Sequence, residues 1–280
     1  MKNNAELTSS RFPRGYAHGE AGSGKKGRVY TGQYYWGTIT TRDNRQLTLA
    51  IVADGDGEVN QGQIAAKLAV DTIVNVCKES KGKSIPLMLG QAIGKANKRI
   101  FQEANKWLYR KKMSATVAIA AICDQRLYIA NVGNCPIYLV RGEVLVQLTV
   151  DHIWAIDQIR SRNMSKIAAL THQWAGLLSR SVGREPKVRV DLGLYVKGRA
   201  EESTQVFNNQ GFHLKPDDFV FVCSSGLTKL RNDGLGYYVE HDEIISTMSS
   251  NTPEQAAKML ISYAIGRNVI DDVTVVMVKI

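Results

Sequence analysis

Residues 47–58, LTLAIVADGDGE, join a mostly apolar run to an acidic turn that contains two glycines. A short apolar run bounded by turn residues predicts a strand that is covered on both faces. Glycine lets the backbone adopt positive φ angles and approach a ligand closely. Carboxylates beside freed carbonyl groups are suitable ligands for a hard divalent cation. Asp54, Gly55 and Asp56 are therefore candidates for a metal site, and an ordinary turn is the alternative interpretation.

The composition excludes several classes of protein. The chain has 280 residues, 44% of them hydrophobic, which is enough for one large core or two small ones. No apolar run approaches the ~20 residues that span a bilayer, so we expect no membrane segment. The N-terminal stretch lacks the apolar core of a secretory signal, and the four cysteines show no CxxC spacing. Both features predict a cytoplasmic protein with reduced thiols.

The formal net charge of +10 predicts a basic surface. Such a surface could attract nucleic acid, anionic lipid or phosphorylated protein. Lysine and arginine are dispersed, however, and the densest runs are only residues 25–28 and 110–112. Because no recognition helix or zinc-finger pattern accompanies them, a nucleic-acid-binding module is an alternative that rests on charge alone.

Hydrophobic periodicity predicts the main elements. We predict helices over residues 61–80, 86–110 and 253–266, the last of which follows the capping residue Thr252. Residues 153–178 are predicted to be helical but irregular. We predict strands over 29–39, 115–122, 127–132, 137–140, 144–148, 217–224 and 273–280. Strand pairs follow one another without intervening helices, so the sheets should be largely antiparallel. Residues 1–24 are polar and aperiodic and are expected to form a flexible arm before a domain at 25–280.

Several motifs follow one another in an order that resembles the metal-dependent Ser/Thr protein phosphatases of the 2C type, the PPM family. VADGDGE at 52–58 is similar to the family's VADGMGG, and GQIAAKLAVDTI at 62–73 is similar to its next helix. LYIANVGNCPIYLVRG at 127–142 resembles the central LYVANVGDSRAYLLRDG. Further similar segments are QLTVDHIW at 147–154, LSRSVG at 178–183, FVCSSGLT at 221–228 and DDVTVV at 271–276.

The resemblance implies an α+β fold: a four-layer α-β-β-α sandwich of two antiparallel sheets flanked by helices, with a flap-like segment at about 153–177. It also implies two Mn²⁺ or Mg²⁺ ions at one end of the sandwich, which activate a bridging water. On this resemblance Arg28 binds phosphate and Asp54 bridges the metals. The Gly55 carbonyl binds one ion through water, and Asp271 is the last aspartate ligand.

The chain departs from the family pattern at several of these positions. Tyr35 and Ser225 stand where the family has metal aspartates, and a neutral phenol is a poor ligand for Mg²⁺ or Mn²⁺. Asn134 replaces an aspartate that helps to hold a third ion in bacterial members. Asp56 and Asp272 are additional acids that could compensate.

These departures lead to three hypotheses about function. The first is a catalytically impaired pseudophosphatase that binds or regulates a phosphorylated protein or a component of a Ser/Thr kinase pathway, with at most one weak Mn or Mg ion on Asp54 and Asp271. The alternative is an active Mn- or Mg-dependent phosphatase with a rearranged ligand set, and the third is the nucleic-acid-binding module. We expect a bacterial, cytoplasmic monomer.

Overall fold

A computed structural model describes the chain in six ranges, which are residues 13–22, 29–57, 59–106, 113–195, 211–231 and 236–280. Within them the strands are Arg14–Glu20 (β1), Gln33–Thr40 (β2), Gln46–Asp56 (β3), Ser114–Cys123 (β4), Arg126–Val132 (β5), Ile137–Arg141 (β6), Val144–Gln147 (β7), Phe212–His213 (β8), Phe219–Cys223 (β9) and Val273–Lys279 (β10). The helices are Val59–Lys78 (α1), Ile85–Ala104 (α2), Trp154–Arg160 (α3), Lys166–Leu170 (α4), Ser225–Thr228 (α5), His241–Ser250 (α6) and Pro253–Gly266 (α7).

The strands form two five-stranded sheets. Sheet 1 has the order β1-β10-β9-β6-β7, and sheet 2 has the order β2-β3-β4-β5-β8. Every pair of neighbouring strands is antiparallel. β3 lies between β2 and β4, so both of its edges are paired. One of its faces packs between the sheets and the other against α1 and α2, as its mostly apolar sequence predicts.

The core consists of three layers of buried side chains. Alternate residues of β3, β4, β9 and β10, such as Val52 and Val276, pack between the sheets. The other face of sheet 2, including Ile51, packs against α1 and α2. The outer face of sheet 1 packs against α6 and α7. The order of layers is therefore α-β-β-α, which confirms the predicted fold class.

Most elements agree with the sequence prediction, with shifted boundaries. Helix α7 begins after Thr252, whose side chain accepts a hydrogen bond from the Gln255 N–H, and it ends at Gly266 as predicted. The predicted irregular helix at 153–178 is two short helices, α3 and α4, followed by turns.

The prediction for the N-terminal residues needs correction. Residues 1–24 were expected to be a flexible arm, but residues 14–20 form β1 and pair with β10 in full register. The sequence RGYAHGE gives little periodic signal, because Gly19 takes the place of a side chain where the Tyr30 ring packs. Residues 1–12 and 23–28 lie outside the described ranges. Within those ranges no helix combines the length and the apolar character needed to cross a membrane.

Candidate functional site

The candidate site lies where the ends of the two sheets meet. Asp54, Gly55 and Asp56 close β3 of sheet 2, and Asp271 and Asp272 immediately precede β10 of sheet 1. The segment before β2 joins them. The Thr31 hydroxyl donates to Asp272 Oδ2 at 2.7 Å and lies 3.5 Å from the Gly55 carbonyl oxygen. The fold therefore brings together acidic residues that are far apart in the sequence.

Asp54 is half-buried and lies opposite Thr116 of β4. Side chains alternate along a strand, so Asp54 lies on the same face as Val52, which is the face towards sheet 1. Its carboxylate acts on two buried neighbours. Burial is the main cause of a raised pKa at Cys135, and the charge of Asp54 adds to it. The same two effects raise the pKa of Tyr30, against the opposing effect of its hydrogen bond to Thr274.

Tyr30 is a neighbour of the site that the sequence analysis missed. Its hydroxyl lies 2.7 Å from Thr274 Oγ1, and the Asp54 and Asp272 carboxylates both act on its pKa. A tyrosine in an aromatic stretch gives no signal that it will reach a cluster of acids. Its place follows from the pairing of β1 with β10, which brings Gly19 under its ring.

Gly55 has a packing role in addition to any role in ligand binding. A Cβ at Gly55 would overlap the backbone carbonyl group of Gly62 in α1. Only glycine at this position lets the helix approach the end of β3 so closely. The segment at residues 54–56, which the sequence predicted as a turn, is therefore the paired end of β3, and the adjacent helix fixes it.

Asp271 forms an ion pair with Lys229, which follows the short helix α5. The two side chains are 35% and 31% exposed, respectively. The Lys229 ammonium also lies 5.9 Å from the centre of the Tyr238 ring. Sequence analysis did not select Lys229, although its position three residues after the SSG segment was a usable signal.

Asp272 is bound entirely within the protein. Its side chain is 1% exposed, and Oδ2 accepts the backbone N–H of Thr31 at 2.7 Å in addition to the Thr31 hydroxyl. Oδ1 accepts the backbone N–H of Gly22 at 3.2 Å. These bonds tie the segments before β2 and after β1 to the start of β10.

Asp56, Ser225 and Asn134 border the site. Asp56 Oδ2 accepts a hydrogen bond from the hydroxyl of Ser114, its partner across the β3–β4 ladder, at 3.1 Å. Ser225 is half-buried and begins α5. The preceding residue, Ser224, connects this helix to the Asp271–Asp272 segment, because its hydroxyl donates to the Asp272 carbonyl at 2.8 Å. Asn134 is half-buried in the turn after β5.

The structure does not bring Tyr35 to this cluster. Tyr35 lies opposite Ile51, three residues before Asp54, and packs with it against the helix-facing core of sheet 2. Its side chain is therefore on the opposite face from Asp54. Burial raises the pKa of its phenol. Arg28, the predicted phosphate ligand, lies outside the described residues.

The segment predicted as a flap is closed by a β-bridge between Ile153 and Leu178. Its aromatic residues form a small cluster. The Trp154 and His172 rings are stacked 4.4 Å apart, and Trp174 meets Trp154 edge-on at 5.9 Å. Trp174 remains 53% exposed.

The residues that the structure describes do not fit a two-metal centre. In the six described ranges, no three His, Cys, Asp or Glu side chains converge to hold an ion. Of the acids at the site, Asp271 faces an ammonium group and Asp272 is occupied by protein donors. Two divalent ions ~3.5–4 Å apart need several anionic ligands to offset their repulsion.

Comparison with known proteins gives the family. The model of the protein phosphatase 2C family matches residues 33–260. The chain belongs to this family. A curated relative, the serine/threonine phosphatase stp of Listeria monocytogenes serovar 1/2a, is 28% identical over 247 residues, which cover 87% of this chain and 88% of the relative. The resemblance inferred from the motifs is therefore confirmed.

Solved structures agree at the level of the fold. The serine/threonine phosphatase of S. agalactiae superimposes with a TM-score of 0.77 at 21% identity, covering 96% of this chain and all of that one (100%). The catalytic domain of the phosphatase PstP, solved in complex with two manganese ions, gives a TM-score of 0.70 at 19% identity, covering 96% of this chain and 98% of that one. This protein phosphatase 2C domain thus shares its architecture with both solved phosphatases.

Proposed function

We propose that this protein phosphatase 2C domain is a pseudophosphatase that binds a phosphorylated protein of a Ser/Thr kinase pathway without efficient hydrolysis of the phosphoester. One observation carries the proposal: both acids of the Asp271–Asp272 pair are already neutralised or hydrogen-bonded by protein groups. A metal ion would have to displace Lys229 from Asp271. At Asp272 it would have to replace bonds that tie the segments after β1 and before β2 to the start of β10.

The charge balance supports the same conclusion. The carboxylates Asp54, Asp56, Asp271 and Asp272 contribute four negative charges, and Lys229 returns one positive charge, which leaves three. Two Mn²⁺ ions would bring four positive charges to this cluster, within a chain of formal charge +10. Hydrolysis by a metal-bound water requires both ions to be held close together. Ligands that are few and partly neutralised do not meet that requirement.

A role in binding agrees with the relatives and with the surface. The related stp protein is named a serine/threonine phosphatase, so a phosphorylated protein is the ligand class that we propose for this domain. An excess of lysine and arginine attracts phosphate groups over several ångströms. Arg28 is the proposed phosphate ligand, because a guanidinium can bind two phosphate oxygens at once. The four buried, unpaired cysteines support the proposal of a cytoplasmic location.

The decisive experiment is calorimetric titration of the metal-stripped protein with Mn²⁺, together with an aryl-phosphate assay and a phosphothreonine-peptide binding assay. We expect no binding of two ions, no aryl-phosphate turnover above that of Asp54→Ala, and preference for the phosphorylated peptide over its unphosphorylated form. Binding of the peptide should weaken in Arg28→Ala. Two bound ions, with a rate that Asp54→Ala abolishes, would refute the proposal.

An active phosphatase with a rearranged ligand set is the second candidate. It is favoured by Asp56, which lies on the same face of β3 as Asp54 and contacts only the Ser114 hydroxyl among the described side-chain hydrogen bonds. In that case Asp56→Asn would remove the Mn²⁺-dependent rate as fully as Asp54→Ala. On the proposed function, neither substitution changes the background rate.

A further inference from the structure

We propose that Lys229 is a built-in cation that takes the place of a metal ion at Asp271 and keeps divalent cations out of the site. The Lys229 ammonium group lies against the carboxylate of Asp271, which is the first residue of the segment that resembles the family's last motif. This role rests on the proposed function and gives a reason for it.

Lys229 is held in place on both sides of its backbone. Its N–H donates to the Ser225 carbonyl at 3.0 Å, and its own carbonyl accepts the Tyr238 N–H at 3.1 Å. The Tyr238 ring is 3% exposed and lies below the ammonium group, at a distance where a cation–π attraction operates. A lysine with a fixed backbone and a fixed ring beneath it loses less freedom on pairing than an exposed lysine does.

The pairing also has the electrostatic effect of a ligated ion. An ammonium beside Asp271 neutralises that carboxylate and repels any divalent ion that approaches it. Its three donors can satisfy carboxylate oxygens that would otherwise need a metal or water. Asp271 therefore has a positively charged partner from within the protein.

Ser225 makes the replacement consistent. The Lys229 N–H donates to the Ser225 carbonyl, so the two residues are one helical turn apart at α5. An aspartate at 225 would therefore add a carboxylate near the Lys229 ammonium. Restoring that carboxylate alone would create a second partner for the lysine, and a metal site would open only when the lysine is also removed.

The test compares Mn²⁺ binding by five metal-stripped proteins, measured by calorimetry and by the loss of the free Mn²⁺ paramagnetic resonance signal. They are the natural chain, Lys229→Met, Lys229→Arg, Ser225→Asp and the double variant Ser225→Asp/Lys229→Met. Methionine keeps the length and the apolar stem but removes the charge, and arginine keeps the charge. We expect Lys229→Arg and Ser225→Asp to bind as the natural chain does, within threefold.

We expect Lys229→Met to bind Mn²⁺ at least tenfold more tightly, which is ~1.4 kcal/mol. The double variant should gain at least a hundredfold, more than the product of the single effects. Circular dichroism melts show whether each variant is folded, and Lys229→Gln replaces Lys229→Met if the latter unfolds. Equal affinity in the natural chain and the uncharged variants would overturn the role of Lys229.

The outcomes separate this role from the proposed function. A natural chain that neither binds two ions nor hydrolyses phosphoester, with uncharged variants that bind no better, refutes the role of Lys229 alone. A natural chain that binds two ions and loses its rate in Asp54→Ala refutes both. A gain of affinity in Lys229→Met, with no turnover by the natural chain, supports both.

Discussion

The carboxylate of Asp272 should be a structural group, and replacing it should destabilise the protein. Its side chain is 1% exposed and accepts hydrogen bonds from the Thr31 N–H, the Thr31 hydroxyl and the Gly22 N–H. Asparagine has the same shape but only one acceptor oxygen. If that oxygen keeps the Thr31 bonds, the amide NH₂ group faces the Gly22 N–H, and two donors oppose each other in a buried place.

The magnitude follows from these three bonds. A hydrogen bond to a charged group contributes about 1.5–3 kcal/mol, and a buried donor left unsatisfied costs about 1–3 kcal/mol. Asp272→Asn weakens two bonds and loses one, so we expect the free energy of unfolding to fall by about 2–4 kcal/mol. Asp56→Asn is the matched control. Its carboxylate accepts from the Ser114 hydroxyl at 3.1 Å, which an amide oxygen can still do, so we expect a loss below about 1 kcal/mol.

The assay is urea unfolding of both variants in the presence of a chelator, followed by circular dichroism. A loss for Asp272→Asn that is equal to the loss for Asp56→Asn would refute the structural role. Repeating the urea unfolding with Mn²⁺ in place of the chelator tests the competing idea that Asp272 is a metal ligand. A ligand that binds only the folded state raises its stability, so a Mn²⁺-dependent increase that disappears in Asp272→Asn would favour that idea.

Three further predictions concern the rest of the fold. The hydrogen bonds from Arg267 at 2.5 and 2.7 Å lower the pKa of Glu243 in the folded protein. The stabilisation that they give is therefore complete above the pKa of an unfolded glutamate, ~4.3. It is lost as the pH falls through the lower pKa of the folded state. Glu243→Gln should therefore lower the free energy of unfolding by about 1 kcal/mol at pH 7. Between pH 5 and pH 3, urea titrations should show a smaller further loss of stability in the variant than in the natural chain. Parallel plots of stability against pH for the two proteins would contradict this. Burial raises the pKa of Cys77 to about 12, so a disulfide reagent at pH 8 should modify this thiol only after unfolding, and rapid modification of the native protein would show that the burial is wrong. Gly55→Ala should lower the stability by about 1–3 kcal/mol, because the added methyl group overlaps α1. Gly62→Ala should cost less, since a Cβ there lies 3.0 Å from the Gly55 backbone and alanine favours a helix. Equal losses of stability in thermal melts would contradict this packing.

The sequence alone predicts the elements that carry their own periodic signal. The apolar run of β3 has no polar face and is paired on both edges, and the capping residue Thr252 correctly places the start of α7. The strand β1 was not predicted, because RGYAHGE has neither a clear alternation nor a large apolar residue apart from Tyr16. Its stability comes from β10, which lies at the other end of the chain.

Face and register were beyond what the sequence determines. Tyr35 matches the family motif in order, but pairing opposite Ile51 puts its ring on the helix-covered face of sheet 2. A shift of one residue in register would place it on the other face, and no local signal fixes that register. The position of Asp54 can be predicted without knowing the register, because the glycines and acids that follow it mark the end of its strand.

The sequence by itself determined the family, through it the two-sheet architecture, and the place of Asp54 near the end of a buried strand, since these depend on local pattern and motif order. Only the tertiary structure decided what the other acids do. Asp271 meets Lys229 from 42 residues away, and Asp272 meets Thr31 from 241 residues away. Whether a carboxylate is open to a metal depends on the charges and donors that surround it in space. Those neighbours come from the segments after β1, before β2 and after α5, and only folding brings them together.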